Sequence, residues 1–171
     1  MVIWLIGLAG AGKTTIGRQV LARLKARSPN VLLLDGDHVR AIMGNDLGHT
    51  IEDRRVNAWR ICRLCQYLDS QGIDVVCAIL SIFHDTQDWN RQNYSRYFEV
   101  FIDVPMDVLI ARDQKGLFSK AMAGRLKNVV GVDIPFEPPP SADLVVNNGD
   151  PANSPADLAD EIIRALDARF P

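Results

Sequence analysis

Gly7-Leu8-Ala9-Gly10-Ala11-Gly12-Lys13-Thr14-Thr15 carries almost no hydrophobic bulk, although it follows the apolar run Val2-Ile3-Trp4-Leu5-Ile6. A stretch this bare holds a ligand with its backbone. Gly7 and Gly12-Lys13-Thr14 satisfy the spacing G-x-x-x-x-G-K-[ST], in which glycines turn the chain tightly and aim successive N–H groups at phosphate oxygens. A helix beginning near Lys13 adds the positive end of its dipole. The residues expected to bind ATP are therefore Gly7, Gly10, Ala11, Gly12, Lys13, Thr14 and Thr15, with Lys13 reaching the β- and γ-phosphates and the Thr14 hydroxyl ligating Mg²⁺.

A second group of reactive side chains follows the next apolar run. Leu34 leads into Asp35-Gly36-Asp37-His38-Val39-Arg40, which puts two carboxylates and a guanidinium within six residues. Neighbouring strands of a parallel sheet share one crevice at their carboxyl ends, so these groups should face the triphosphate. Phosphoryl transfer to an alcohol needs a carboxylate near the acceptor hydroxyl and cations for an anionic acceptor. The base-reading N-K-x-D of a GTPase is absent, and a motor or large ATPase needs more chain. A small-molecule kinase fits, with Lys13 and Asp37 as catalytic candidates and Thr14 and Asp37 as the magnesium side.

The elements that must position these groups alternate along the chain. Strands are expected at 2–6, 31–34, 73–80, 97–104 and 143–146, mostly as continuous apolar runs that suit strands covered on both faces. Helices are expected at 13–27, 52–71 and 106–112. A last one is announced by Ser154-Pro155 with Asp157: an N-cap, a proline in the first turn and a favourable dipole charge. The alternation implies one α/β domain over residues 1–171, a three-layer sandwich around a parallel five-stranded sheet. Residues 114–141, basic, rich in small residues and ending in Glu137-Pro138-Pro139-Pro140, are expected to be an irregular lid.

The totals exclude other classes. With 19 basic and 21 acidic residues the net charge is −2, so nothing draws the chain as a whole to nucleic acid or an anionic membrane. No apolar run approaches the roughly 20 residues of a membrane span, and no leader pattern is visible, so a cytoplasmic location is expected. The three cysteines include Cys62-x-x-Cys65, which lies mid-helix on a stripe with Ala58, Ile61 and Leu68. That placement predicts core packing rather than redox or zinc chemistry.

With these motifs placed, the chain resembles the adenylylsulfate kinase family over nearly its whole length. The likeness is carried by GLAGAGKTT, LDGDHVR, NDLG, EDRRVN, the serine of AILSIF, VFIDVP and the lid-like RDQKGLFSKAMAGRLKNVVGVDIPFEPP. The resemblance implies a P-loop nucleotide kinase fold and transfer of the ATP γ-phosphoryl group to the ribose 3′-hydroxyl of adenylylsulfate. It further implies Mg²⁺, a small-molecule nucleotide substrate and a cytoplasmic homodimer. Asp37 matches the acid near the acceptor hydroxyl, while Arg40, Arg54 and Asn57 match positions that hold the acceptor, with Asp35 and Leu80 lining it. Ser81 matches a serine sometimes described as a phosphorylated intermediate. Direct in-line transfer needs none, so Ser81, a third catalytic candidate, is expected to line the substrate. Lys115, Lys120 and Lys127 match lid lysines near the transferred group, and Arg112 is placed over the ATP base.

The departures cluster on the acceptor side. Where the family has two aromatic residues that sandwich the acceptor adenine, this chain has His49 and Val129. The family's I-S-P reads Leu80-Ser81-Ile82, and His38 replaces an asparagine. Stacking of a base on an aromatic ring is worth ~1–3 kcal/mol, so losing both lowers adenine affinity by roughly 10²-fold or more. Two further readings follow. One is a paralogue acting on another nucleotide conjugate, such as cytidine diphosphoramidate in surface-polysaccharide assembly. The other is a nucleotide-binding regulator without turnover, which intact Lys13, Thr14 and Asp37 disfavour.

Overall fold

The computed structural model describes residues 1–113 and 116–171. Five strands, β1 (Val2–Ile6), β2 (Val31–Asp35), β3 (Asp74–Ile79), β4 (Tyr97–Asp103) and β5 (Leu144–Asn147), form one sheet in the order β2-β3-β1-β4-β5. Every pairing is parallel, with Ile6 beside both Ile79 and Phe101 and with Asp35 beside Ala78. All carboxyl ends therefore lie at one edge, where the expected three-layer architecture puts the site.

The five residues of β1 are all buried, because the strand is central and covered from both sides. On one face, Ile3, Leu5, Val100 and Ile102 pack with Ile16 and Val20 of α1 (Lys13–Lys25) and Leu158 and Ile162 of α7 (Pro155–Arg169). On the other, Val2, Trp4 and Ile6 pack with Ile61, Cys62 and Cys65 of α3 (Ile51–Ser70) and with Tyr94 and Tyr97. Gly17 lets α1 sit close, since a Cβ there would stand 3.1 Å from Leu33 and 3.3 Å from Leu5. Thr50 caps α3 by accepting from the Asp53 N–H, and α7 begins with the expected Ser154–Asp157 capping box and Pro155.

Three helices were not legible in the apolar pattern: α2 (Gly36–Ile42), α4 (His84–Asn93) and α6 (Leu117–Met122). The inward face of α4 is polar, with Thr86, Gln87 and Asn90 all buried, so no hydrophobic period announces it. The helix α6 lies inside the segment expected to be irregular. Asp113 caps it by accepting from the Phe118 and Ser119 N–H groups at 3.0 and 2.9 Å. Phe118, Val129 and Val130 of the same segment are buried in the core, so hydrophobic anchors hold it down. The remaining helix, α5 (Met106–Arg112), falls where the spacing predicts. No helix among the described residues is long and apolar enough to cross a membrane.

All three cysteines are free and buried between α3 and β3, and no three metal-binding side chains gather among the described residues. Burial pushes the Cys62 thiol up to about 12 and raises Cys77 as well. A raised thiol pKa leaves almost no thiolate at pH 8. The folded protein should accordingly resist DTNB at pH 8, whereas denaturation should release all 3 thiols. Rapid labelling of the native protein would contradict core packing.

Candidate active site

The turn after β1 is shaped by what glycine alone permits. A Cβ at Gly7 would stand 2.9 Å from the Ile102 carbonyl oxygen. Gly12, the residue before α1, has φ +91°, in the left-handed region, and a Cβ there would lie 2.5 Å from the Asn148 amide nitrogen. Gly12 has no side chain with which to cap α1, so the positive end of that helix is turned to the loop. Lys13 donates from Nζ to the Leu8 carbonyl at 2.8 Å, folded along the loop it serves. Ala11 is buried, while Gly10 and Thr15 are exposed at the rim.

The Thr14 hydroxyl donates to the Asp35 carboxylate at the end of β2. The other Asp35 oxygen accepts the Asp37 N–H at 3.0 Å and so caps α2. Asp35 thus joins the phosphate loop to the helix carrying Asp37 and Arg40. Asp37, the acid expected beside magnesium, stands further out, exposed on the first turn of α2. The Thr14 hydroxyl and Asp35 carboxylate are hard oxygen donors already in contact. They suit Mg²⁺, which takes one or two protein oxygens and fills its shell with water and phosphate.

The acceptor-side residues converge from separate elements. Arg40 donates to the carbonyls of Leu47 at 3.2 Å and Gly48 at 2.9 Å. Arg54, half-buried on the first turn of α3, donates to the His49 carbonyl at 2.9 Å and the Asn128 carbonyl at 2.8 Å. Burial and the neighbouring Arg40 guanidinium lower the Arg54 pKa. Asn57, one turn along α3, is 8% exposed, and its side-chain oxygen has no hydrogen-bond partner among the described residues. Such a group, one turn from Arg54 on the same helix, suits a polar ligand that completes it. Leu80 is half-buried just beyond β3, and Ser81 is buried with its hydroxyl accepting from the Gln87 amide at 3.2 Å.

Not every expected residue reaches this edge. Val129 is turned into the core at 2% exposure, while Lys120 and Lys127 are exposed. Lys115 lies outside the described residues. Arg112 donates to the Asn148 carbonyl at 2.7 Å, on the far side of the phosphate loop from Arg54. Two positioning residues were missed from sequence. Gln87 sits on the unannounced α4. Asn148, buried beyond β5, donates its side-chain amide to the Ala11 carbonyl at 2.8 Å, and its backbone N–H to Asp103. A lone asparagine after a strand gives no signal of such a role.

The adenylylsulphate kinase family model matches residues 1–147. The chain belongs to that family. The kinase is 45% identical over 150 residues to a cytidine diphosphoramidate kinase of Campylobacter jejuni, covering 86% of this chain and 85% of the relative. It is 39% identical over 151 residues to an adenylyl-sulfate kinase of Myxococcus xanthus, covering 86% and 81%. Among solved structures, the Mycobacterium tuberculosis APS kinase CysC in complex with AMPPNP and APS matches with a TM-score of 0.88 and 30% identity, over 97% of this chain and 96% of that one. The kinase also matches longer bifunctional enzymes, of which it spans about a quarter, 26% in two cases. It is an ATP-dependent phosphotransferase.

Two outcomes follow from this geometry. Replacing Asn148 by alanine removes a buried bond to the loop, worth about 1–2 kcal/mol, and should raise the Michaelis constant for ATP by about tenfold. Steady-state kinetics with ATP varied would show it, and an unchanged constant would deny Asn148 its positioning role. Burial, followed by Arg40 and Arg54, lowers the His49 pKa by disfavouring the imidazolium. A proton NMR titration should find its midpoint below the ordinary histidine value of about 6.5, leaving the ring neutral at pH 7.

Proposed function

We propose that this kinase transfers the γ-phosphoryl group of ATP to a ribose hydroxyl of a pyrimidine nucleotide conjugate of the cytidine diphosphoramidate type. The observation that carries the reading is the acceptor-base region. His49 is exposed and carries only the small imidazole ring, and Val129 is packed into the core, so the pair of large aromatic rings that clamps adenine in the family resemblance is missing. The greater identity to the Campylobacter jejuni enzyme, 45% against 39% for the Myxococcus xanthus one, supports it. The family match itself supports a second reading, in which the acceptor is adenylylsulfate and the 3′-hydroxyl is phosphorylated.

The chemistry is common to both. Backbone N–H groups from Gly10 to Thr15 hold the phosphates, and Lys13 leaves the Leu8 carbonyl to reach the β- and γ-oxygens. Thr14 and Asp35 would hold Mg²⁺, which would supply charge neutralisation on the phosphates. Arg40 and Arg54 bind the acceptor's anionic linkage, and the Asn57 side-chain oxygen accepts from a donor on the acceptor. Asp37 orients the acceptor hydroxyl and takes its proton as the hydroxyl oxygen bonds to the γ-phosphorus. The bond from that phosphorus to the bridging oxygen breaks, and ADP leaves with the electron pair. Arg112, tied to Asn148, lies over the ATP base, and residues 119–127, between the buried anchors Phe118 and Val129, close as a lid. The homodimer and cytoplasmic location implied by the resemblance belong to the same proposal.

A panel of cytidine diphosphoramidate, a uridine conjugate and adenylylsulfate, read by ADP release, tests the acceptor. The cytidine conjugate should give the highest kcat/KM. Micromolar use of adenylylsulfate with no turnover of pyrimidine conjugates would establish the second reading instead. Lys13→Ala should lose at least about 10²–10³-fold in turnover, because a positioned cation at the transferring group is worth several kcal/mol in the transition state. Near-normal turnover would sink the phosphate-loop assignment.

A further inference from the structure

Arg54 spans two segments that sequence keeps far apart. Its Nε holds the His49 carbonyl five residues upstream, and its Nη2 holds the Asn128 carbonyl 74 residues downstream. These carbonyls stand at His49 and beside Val129, the two positions that the family resemblance puts on either side of the acceptor base, and the segments that carry them form two walls. The first wall is gripped along three successive carbonyls, since Arg40 holds Leu47 and Gly48 just before His49.

The second wall is a tight knot. Asn128 has φ +63° and Gly131 has φ +91°, both left-handed. The Asp133 carboxylate accepts from the Asn128 and Val129 N–H groups at 2.6 Å each. The Val129 carbonyl in turn accepts from Val132, Asp133 and Ile134 at 3.1–3.2 Å. Beneath it, Val129 and Val130 are buried in the core, and a Cβ at Gly131 would stand 2.7 Å from the Met106 methyl. The knot is fixed to the core from below, and Arg54 holds it across the site.

We propose that Arg54 is a positioning residue that sets the gap between these walls, and that the width of this gap selects the acceptor base. This deepens the proposed function and rests on it: with no aromatic pair to stack on, a slot of fixed width takes a single-ring base and disfavours adenine. The guanidinium suits the task because its planar fork fixes the spacing between its donors, which a lysine ammonium cannot do. Two of its five N–H donors are engaged by the His49 and Asn128 carbonyls, so Arg54 still has donors for an anionic acceptor while the walls stay tied. Its closeness to Arg40 favours an anion between them.

The test separates this role from simple substrate contact. Amide hydrogen exchange would be measured on the full chain without nucleotide, for wild type, Arg54→Lys and Asp133→Asn, beside kcat/KM for the cytidine and adenylyl conjugates. Arg54→Lys should speed exchange of residues 128–134 by about tenfold with no ligand present, and should cut the ratio of kcat/KM between the two bases about fivefold or more. Asp133→Asn loosens the same knot while keeping the Arg54 guanidinium and its two carbonyl bonds, and should move both readouts the same way even if Arg54→Lys folds poorly. Unchanged ligand-free exchange in both variants would overturn the tie. Faster exchange with an unchanged base ratio would overturn its part in selection. A wild-type preference for adenylylsulfate would defeat the pyrimidine reading and the single-ring argument, whereas the exchange result alone decides whether Arg54 holds the walls.

Discussion

Everything in this site depends on the residue before α1 having no side chain with which to cap that helix. A helix start normally recruits a serine, threonine or aspartate to accept from its first N–H groups, as α3 and α7 do. The residue before α1 is instead a left-handed glycine with no side chain to offer. A phosphate completes what the fold leaves open, and the bareness of the loop is the cost of that arrangement. Because glycine brings flexibility, something else must hold the turn. The Ile102 carbonyl packs against Gly7, and the Asn148 amide holds the Ala11 carbonyl.

The two halves of the site are built by different means. The phosphate half is made of backbone contributed by one short segment, and its geometry is dictated locally. The acceptor half is made of long side chains from α2 and α3 that reach carbonyls in the 47–49 turn and at Asn128. A local backbone site changes little among chains that share its glycines, whereas a site assembled from distant side chains can be reshaped by single substitutions. On the proposed function His49 and the backbone at Val129 border the acceptor half alone.

Asp35 connects the halves. It accepts the Thr14 hydroxyl with one oxygen and the Asp37 backbone N–H with the other, so any shift of the phosphate loop is felt at the start of α2. Gln87 of α4 fixes Ser81 by donating its amide to the Ser81 hydroxyl. Held by an amide and nearly closed to solvent, Ser81 is suited to lining the substrate.

The strands, the helix that follows the glycine loop and the capping box of α7 were legible because each is encoded within a few residues, by continuous apolar runs or by a cap and proline at fixed offsets. Lys13, Thr14 and the Asp35–Arg40 cluster were legible for the same reason. The helix α4 was not, since its buried face carries Thr86, Gln87 and Asn90, whose partners come from elsewhere in the fold. Segment 114–141 read as irregular because its anchors, Phe118, Val129 and Val130, find their core only after the sheet has formed. That Asn148 steadies the phosphate loop and Arg54 joins two walls was decided by the tertiary structure alone. Hydrogen bonds between groups 137 and 74 residues apart leave no periodicity in the chain. Sequence by itself determined the phosphate-binding chemistry, because backbone geometry there is set by neighbouring residues. The shape offered to the acceptor came from packing, because only the folded sheet brings its walls together.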